Sequence, residues 1–85
     1  MTDMIIVYGT DWCPDCIRAR RYLDSNNIPY QWINISKERE ARSIVEKINN
    51  GCRSVPTIIW PDGSYLVEPS INELSEKLNK SGSLN

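Results

Sequence analysis

The most informative absence in this sequence is histidine, which does not occur once in the 85 residues. Its absence excludes Cys–His and Ser–His nucleophile pairs, HExxH metal sites and CCHH zinc fingers. An excess of charge of one sign is also lacking, since ten Lys and Arg stand against eleven Asp and Glu, a net charge of -1. This balance argues against a nucleic-acid partner and against an anionic membrane surface, because both usually need a basic excess.

Long apolar runs are absent as well. No run approaches the roughly 18–20 residues of a transmembrane helix, and the first four residues, Met-Thr-Asp-Met, lack the basic start of a secretory signal. With 40% hydrophobic and 25% charged residues, the composition is typical of a globular protein. We therefore expect one domain over residues 1–85 that is cytoplasmic and monomeric and has no membrane anchor.

Cysteine is scarce, and its three positions are Cys13, Cys16 and Cys52. An odd number without an export signal makes a secreted disulfide framework a poor interpretation. In a reducing cytoplasm these side chains would rest as thiols. They are therefore candidates for chemistry rather than for cross-linking.

Hydrophobic periodicity and turn residues predict seven elements in the order βαβαββα. The predicted strands cover residues 4–8, 30–35, 55–60 and 65–67. A strand–helix–strand unit requires a parallel pair with a right-handed crossover, and the closing hairpin adds antiparallel strands. We expect an α/β fold in which three helices flank a four-stranded mixed sheet.

Capping residues place the three helices. The first begins at Pro14 and ends near residue 25, because proline suits the first helical position. The second is capped by Ser36 and stopped by Gly51. The third follows a capping box formed by Ser70 and Glu73, and residues 81–85 are expected to fray.

The segment Cys13-Pro14-Asp15-Cys16 carries the predicted chemistry. Cys13 is expected at the N-cap of the first helix, where unpaired N–H groups and the helix dipole favour its thiolate over its thiol. Cys16, one turn deeper, should be less exposed and should resolve a mixed disulfide formed on Cys13. We hypothesise that Asp15 opposes the thiolate and makes the pair more reducing.

A lone CxxC pair also occurs as half of a metal site. A zinc ribbon needs a second such pair, and here only Cys52 remains, with no histidine to complete four ligands. The proline in the second position and the strand–loop–helix setting favour a redox pair. A metal or iron–sulfur carrier that uses Cys13 across a dimer is the alternative from another class.

Two segments resemble the dithiol glutaredoxins. Residues 8–16, Tyr-Gly-Thr-Asp-Trp-Cys-Pro-Asp-Cys, are similar to the active-site strand and loop of that family, and residues 54–57, Ser-Val-Pro-Thr, are similar to its Thr-Val-Pro segment. The order of elements and their lengths match from residue 4 to about residue 80. The resemblance implies a thioredoxin fold in which the bond between Val55 and Pro56 is cis and faces Cys13. In that family, the backbone before this proline pairs with the bound thiol substrate.

The same resemblance implies an activity and its partners. It implies a thiol–disulfide oxidoreductase in which Cys13 and Cys16 are catalytic, with no bound cofactor and with glutathione or a mycothiol-like thiol as co-substrate. Substrates would be disulfide-bearing proteins or small mixed disulfides, and a thiol pool or a reductase would recycle the protein. The alternative within redox chemistry is an electron donor fed by thioredoxin reductase, of the type that serves ribonucleotide reductase.

The sequence departs from the glutathione-using members at three places. Threonine stands at position 10, where those members usually carry a basic residue, and Asp15 replaces the tyrosine of their CPYC motif. The glycine pair of their turn that binds the γ-glutamyl end is replaced by Val-Glu-Pro-Ser at residues 67–70, and Asp11 and Asp15 add negative charge near the nucleophile. The segment of residues 50–56, Asn-Gly-Cys-Arg-Ser-Val-Pro, is closer to mycoredoxins and related bacterial redoxins. Those relatives use other small thiols or act directly on protein disulfides.

Further site residues are proposed around the pair. We expect Trp12 to form an exposed apolar rim and Arg53 to be either a carboxylate clamp or a solvated loop charge. Val55, Pro56 and Ser70 complete the expected substrate site. The remaining thiol, at position 52, is either a bystander or a third redox position that can trap the nucleophile, and the tryptophans at positions 32 and 60 are expected to pack in or against the sheet.

Overall fold

The computed structural model describes residues 4–80 of the chain. Its seven elements follow the predicted order, and they are β1 (Ile5–Gly9), α1 (Pro14–Ser25), β2 (Tyr30–Asn34), α2 (Arg39–Ile48), β3 (Thr57–Ile59), β4 (Tyr65–Val67) and α3 (Ile71–Lys80). The tail expected to fray, residues 81–85, lies outside the described residues. None of the helices in the described part is long and apolar enough to cross a membrane.

The four strands form one mixed sheet in the order β2-β1-β3-β4. Strand β1 runs parallel to β2, with Ile5 opposite Tyr30, and antiparallel to β3, with Val7 opposite Ile58. Strand β4 extends the sheet as the antiparallel hairpin partner of β3. The predicted four-stranded mixed sheet with three helices is confirmed.

Both faces of the sheet are covered, as the apolar run of β1 predicts. Val7 points to the larger apolar cluster, which contains residues of α1 and α3 such as Leu23 and Leu74. Tyr8, the next residue along the strand, points to a second cluster that includes Val45 of α2. Because successive strand residues face opposite sides, α1 and α3 lie on one face and α2 lies on the other.

The predicted start of α2 is wrong. The helix begins at Arg39 after Glu38, which makes no side-chain cap. The N–H and hydroxyl of Ser36 instead donate to Oδ1 of Asn34, at 2.9 and 2.6 Å, and close a turn. Asparagine side chains compete for nearby backbone in this way at turns, so Ser36 belongs to the turn that precedes the helix.

The third strand is shorter than predicted and covers only three of the six expected residues. Pro56 has no N–H to offer a neighbouring strand, and the bond between Val55 and Pro56 is cis. At the other end, the N–H of Trp60 donates to the carbonyl of Ser64 across the hairpin turn, at 2.8 Å. The cis bond that the resemblance implies is therefore present.

The capping box of α3 is confirmed. The hydroxyl of Ser70 accepts the backbone N–H of Glu73 at 3.1 Å, and the Glu73 carboxylate accepts the backbone N–H of Ser70 at 3.0 Å. Two groups at the start of the helix are thereby satisfied reciprocally.

Candidate active site

Cys13 occupies the N-cap of α1, as the sequence predicts. Its backbone is extended, Pro14 follows at the start of the helix, and its Sγ accepts the backbone N–H of Cys16 at 3.3 Å. The thiol of Cys13 donates to the carbonyl of Val55 at 3.7 Å. A sulfur in this position faces unpaired N–H groups and the positive end of the helix dipole, both of which stabilise negative charge.

Cys16 is fully buried, whereas Cys13 is only half-buried. Burial raises the pKa of the Cys16 thiol to about 12, and the hydrogen bond with Cys13 adds to this rise. A backbone hydrogen bond from Thr10 acts in the opposite direction. At neutral pH, Cys16 is therefore a protonated thiol buried beneath the half-buried Cys13.

Gly9 makes room for the buried sulfur. A Cβ atom at this position would lie 2.6 Å from Sγ of Cys16 and 2.7 Å from the ring of Trp32, closer than real Cβ contacts allow. The guanidinium of Arg20 lies 4.1 Å from the centre of the same ring, on which it stacks. The end of β1 therefore needs glycine, because the sulfur of Cys16 and the ring of Trp32 fill the space that a side chain would occupy.

A cleft of about 290 Å³ opens beside Cys13. Its walls come from the loop before α1, the turn after β2, helix α2 and the loop before β3, and its lining residues are Thr10, Trp12, Cys13, Ile35, Ser36, Arg42, Arg53 and Val55. Trp12 is 71% exposed and stands at the rim. The lining contains two cationic side chains and no acidic one.

The structure brings together three of the five expected substrate residues. Trp12, Arg53 and Val55 line the cleft, whereas Pro56 is buried behind it. Ser70 is exposed and outside the lining, where it caps α3. The Nε of Arg53 donates to the Glu46 carboxylate at 2.8 Å, an exposed pair of the kind that contributes little to stability.

Two polar residues of the cleft, Thr10 and Arg42, were missed by the sequence-based prediction. The Nη1 of Arg42 donates to the carbonyl of Ile35 at 2.8 Å. This hydrogen bond holds the Arg42 side chain against the turn that follows β2. A signal existed for Arg42, since it follows buried Ala41 near the start of a helix that begins at the same end of the sheet as Cys13. For Thr10 the resemblance gave a signal, because the glutathione-using members usually carry a basic residue at this position.

The carboxylates of Asp11 and Asp15, both close to Cys13 in the sequence, accept hydrogen bonds from other side chains. Asp15 accepts from Arg18 at 3.1 Å on the exposed side of α1. Asp11 accepts from the side-chain amide of Asn34 at 3.0 Å and lines a separate open cavity of about 590 Å³ between β2 and α2. Neither carboxylate lines the cleft, although the charge of Asp15 adds to the raised pKa of the Cys16 thiol.

The other candidates lie away from the reacting sulfur. Cys52 is exposed and is not part of the cleft. Trp60 is buried, and Trp32 packs against the core, as expected. In residues 4–80, no group of three or more Cys, Asp or Glu side chains is placed to hold a metal ion.

Comparisons with known proteins agree with this geometry. The family model for glutaredoxin matches residues 5–65. A Mycobacterium tuberculosis protein that carries a glutaredoxin name is 39% identical over 80 residues, which cover 94% of this chain and 95% of the relative. Mycoredoxin 1 of Corynebacterium glutamicum is 34% identical over 74 residues, 87% of this chain and 91% of the relative.

A solved structure shows the same fold. The crystal structure of a mutant of the thioredoxin-like protein BC3987 superposes with a TM-score of 0.80 at 28% identity, over 92% of this chain and 97% of that one. The expected thioredoxin fold is therefore confirmed. Together with the family match over most of its length, this likeness shows that the chain belongs to the glutaredoxin family.

Proposed function

We propose that this protein is a thiol–disulfide oxidoreductase in which Cys13 is the nucleophile and Cys16 is the resolving thiol. The observation that carries the proposal is the contrast between the two sulfurs. Sγ of Cys13 sits at a helix N-cap in an open cleft, 3.3 Å from the backbone nitrogen of Cys16, while Cys16 is fully buried. An accessible, stabilised thiolate and a protected neighbouring thiol are what two successive exchanges require.

The reaction proceeds by two displacements. The thiolate of Cys13 attacks one sulfur of a substrate disulfide, forms a mixed disulfide and releases the other sulfur as a thiolate, which takes up a proton. Cys16 then loses its proton, and its sulfur attacks Cys13 and displaces the second substrate thiol. Two electrons pass from the dithiol to the substrate, which leaves two reduced thiols and a bond between Cys13 and Cys16.

We infer that a low-molecular-weight thiol occupies the cleft, either as part of a mixed disulfide substrate or during recycling. The carbonyl of Val55 faces Cys13, and Arg42 and Arg53 line the same cleft. Two cations favour a carboxylate, which supports glutathione, whereas the likeness to mycoredoxin 1 supports mycothiol. In this proposal Arg53 is the carboxylate clamp and Trp12 is the apolar rim.

The cellular setting is part of the same proposal. We propose that the chain works as a single domain and as a monomer in the cytoplasm, where a thiol pool or a flavoprotein reductase returns the disulfide to the dithiol. All seven described elements belong to one sheet or to the helices that cover it, which supports a single domain. Support for the compartment comes from the odd number of cysteines, since a secreted disulfide framework would normally pair them.

The test is the recycling of oxidised protein by different reductants. Glutathione, mycothiol, bacillithiol and thioredoxin reductase with NADPH are compared side by side in the reduction of a mixed disulfide and of a protein disulfide. At least one reductant should support turnover, C13S should abolish it, and C16S should retain activity only on the small mixed disulfide. Turnover by none of the four, or full activity of C13S, would reject the proposed function.

A further inference from the structure

The free edge of β2 borders the open cavity of about 590 Å³ that lies between β2 and α2. In the sheet order β2-β1-β3-β4, β2 is an outer strand, and no further strand of residues 4–80 pairs with its other side. Four consecutive residues of this strand, 31–34, line the cavity. Because successive side chains of a strand point to opposite faces, a cavity that touches all four extends around the outer edge of the strand.

The main chain of Trp32 faces outward at this edge. The N–H of Ile35 donates to the carbonyl of Gly9 on β1 at 2.9 Å. Since alternate residues of a strand turn their N–H and C=O groups toward the same neighbour, residues 31 and 33 also face β1, whereas Trp32 and Asn34 face away from it. The ring of Trp32 packs against the larger apolar cluster on the other face of the sheet, which leaves its main chain to border the cavity.

Strand β2 lacks the features that usually protect an edge strand. Its residues 30–34, Tyr-Gln-Trp-Ile-Asn, include no charged residue and no proline, and its pairing with β1 runs without a bulge from Tyr30 to Asn34. The strand at the opposite edge, β4, is only three residues long. A regular, uncharged edge accepts an added strand, whereas a short or charged edge opposes one.

Tyr8 brings an unused polar group to the same cavity. Its side chain is only 4% exposed, and its hydroxyl makes no hydrogen bond with any of residues 4–80. This oxygen is not among the fully enclosed polar atoms that lack a partner, so it keeps accessible surface, and Tyr8 lines the cavity. An occupant of the cavity can therefore supply the partner that a nearly buried hydroxyl requires.

The charges that line the cavity favour a basic occupant. Three carboxylates, those of Asp11, Glu38 and Glu40, stand there against a single cation, Lys37. Neither Glu38 nor Glu40 forms an ion pair within residues 4–80. Ile44 lines the same cavity and is 40% exposed. A Lys or Arg side chain suits such a site, because its stem packs on apolar surface while its charged end stays near carboxylates.

We propose that an extended segment of a partner protein binds here, pairs with the main chain of Trp32 as an added strand and places a Lys or Arg side chain in the cavity. The hydroxyl of Tyr8 and the carboxylates of Glu38 and Glu40 are the acceptors for this side chain. A second copy of this chain fits less well, because its own β2 carries no basic residue. The surface shares no lining residue with the cleft beside Cys13, so the inference goes beyond the proposed function and does not depend on it.

The probe is a fluorescein-labelled peptide of seven residues, in which threonine and valine alternate around a central lysine and no cysteine is present. Two matched peptides carry glutamate in place of the lysine or N-methyl groups on the three central amides. Fluorescence anisotropy with the reduced protein measures the affinities. The lysine peptide should bind at least about 5-fold more tightly than the glutamate peptide, and N-methylation should abolish binding because it removes the donors that pair with a strand edge.

Protein variants locate the binding surface. The double variant E38Q and E40Q should bind the lysine peptide about 3- to 10-fold more weakly, and Y8F, which removes only the phenol oxygen, should bind it about 2- to 10-fold more weakly. E76Q, which removes an exposed acid from α3 on the other face of the sheet, should bind it as the wild type does. In NMR spectra of nitrogen-15-labelled protein, the peptide should slow hydrogen exchange of the Trp32 amide.

Several outcomes would overturn the inference. They are no binding of the lysine peptide, equal binding of the N-methylated peptide, and unchanged affinity in Y8F or in the double variant. Dimerisation of the peptide-free protein that protects the Trp32 amide would also overturn it, because the occupant would then be a second copy of this chain. None of these results bears on thiol–disulfide exchange at Cys13, which the recycling experiment tests separately.

Discussion

The backbone N–H of Cys16 donates to the sulfur of Cys13 across a single helical turn, at 3.3 Å. In the proposed reaction Cys16 would therefore act twice, because its main chain would stabilise the attacking thiolate of Cys13 and its side chain would resolve the mixed disulfide. The helix sets this arrangement through the spacing of the motif alone. Any residue at position 16 except proline would supply the N–H, but only cysteine supplies the second sulfur.

Burial of the Cys16 thiol predicts that the folded protein loses stability at alkaline pH. In the folded protein burial raises the pKa of Cys16 from 9.0 to about 12. Between these values the unfolded chain releases a proton that the native state keeps, so the free energy of unfolding falls as pH rises, by up to about 1.4 kcal/mol per pH unit from this group. Below pH 9 this contribution to stability is fully retained.

Urea unfolding of the reduced protein from pH 8 to pH 11 measures this slope. C16A should show a shallower fall than the wild type, and C52A, which removes an exposed thiol, should keep the wild-type slope. The comparison uses slopes because C16A also leaves a cavity that lowers stability at every pH. Equal slopes for C16A and the wild type would show that burial does not hold the proton on Cys16.

Removal of the negative charge of Asp15 is predicted to cause a small change in the reduction potential of the cysteine pair. Its carboxylate stands between the two cysteines in sequence and disfavours a thiolate form, so D15N should stabilise the reduced pair and raise the potential. Arg18 pairs with Asp15 at 3.1 Å in an exposed position and offsets part of its field. Since an exposed charge contributes at most about 1 kcal/mol, the shift should stay below about 20 mV.

R18Q is the matched variant, because it removes the partner and leaves the carboxylate. Its potential should shift in the opposite direction, toward more reducing values, when both variants are equilibrated against a glutathione redox buffer. Both shifts should shrink at high ionic strength, as interactions of exposed charges do. Shifts of the same sign in D15N and R18Q would contradict the electrostatic explanation.

The order of the elements and the placement of Cys13 and Cys16 at the start of α1 could be predicted because their signals are local. The apolar run of β1, proline at the start of α1 and the capping box at Ser70 each act within a few residues. The start of α2 was predicted wrongly because the hydroxyl of Ser36 donates to Asn34 in a turn instead of capping the helix. The sequence alone does not distinguish these two short-range hydrogen bonds. The local pattern favoured a cap where the folded chain makes a turn.

The cleft could not be predicted as a whole because it is assembled from distant segments. Arg42 and Thr10 line the same cleft only because β1 and β2 pair and α2 packs on the sheet. Nothing in the sequence around Thr10 signals that its buried hydroxyl finds no hydrogen-bond partner among residues 4–80, since that state depends on neighbours from other elements. The resemblance to the glutaredoxin family pointed to Val55 and Arg53 as expected site residues, because both lie in the resembling segment of residues 50–56.

The contact between Gly9 and the buried sulfur predicts that G9A destabilises the fold. A Cβ atom there would lie 2.6 Å from Sγ of Cys16, so the sulfur or the ring of Trp32 must move, and overpacking of this kind costs about 1–3 kcal/mol. Part of the cost should vanish when the sulfur is removed. In a double-mutant cycle followed by urea unfolding, G9A should therefore cost less in a C16A background than in the wild type. Equal losses of unfolding free energy for G9A in the two backgrounds would contradict this prediction. Trp32 alone would then explain why glycine is needed at position 9.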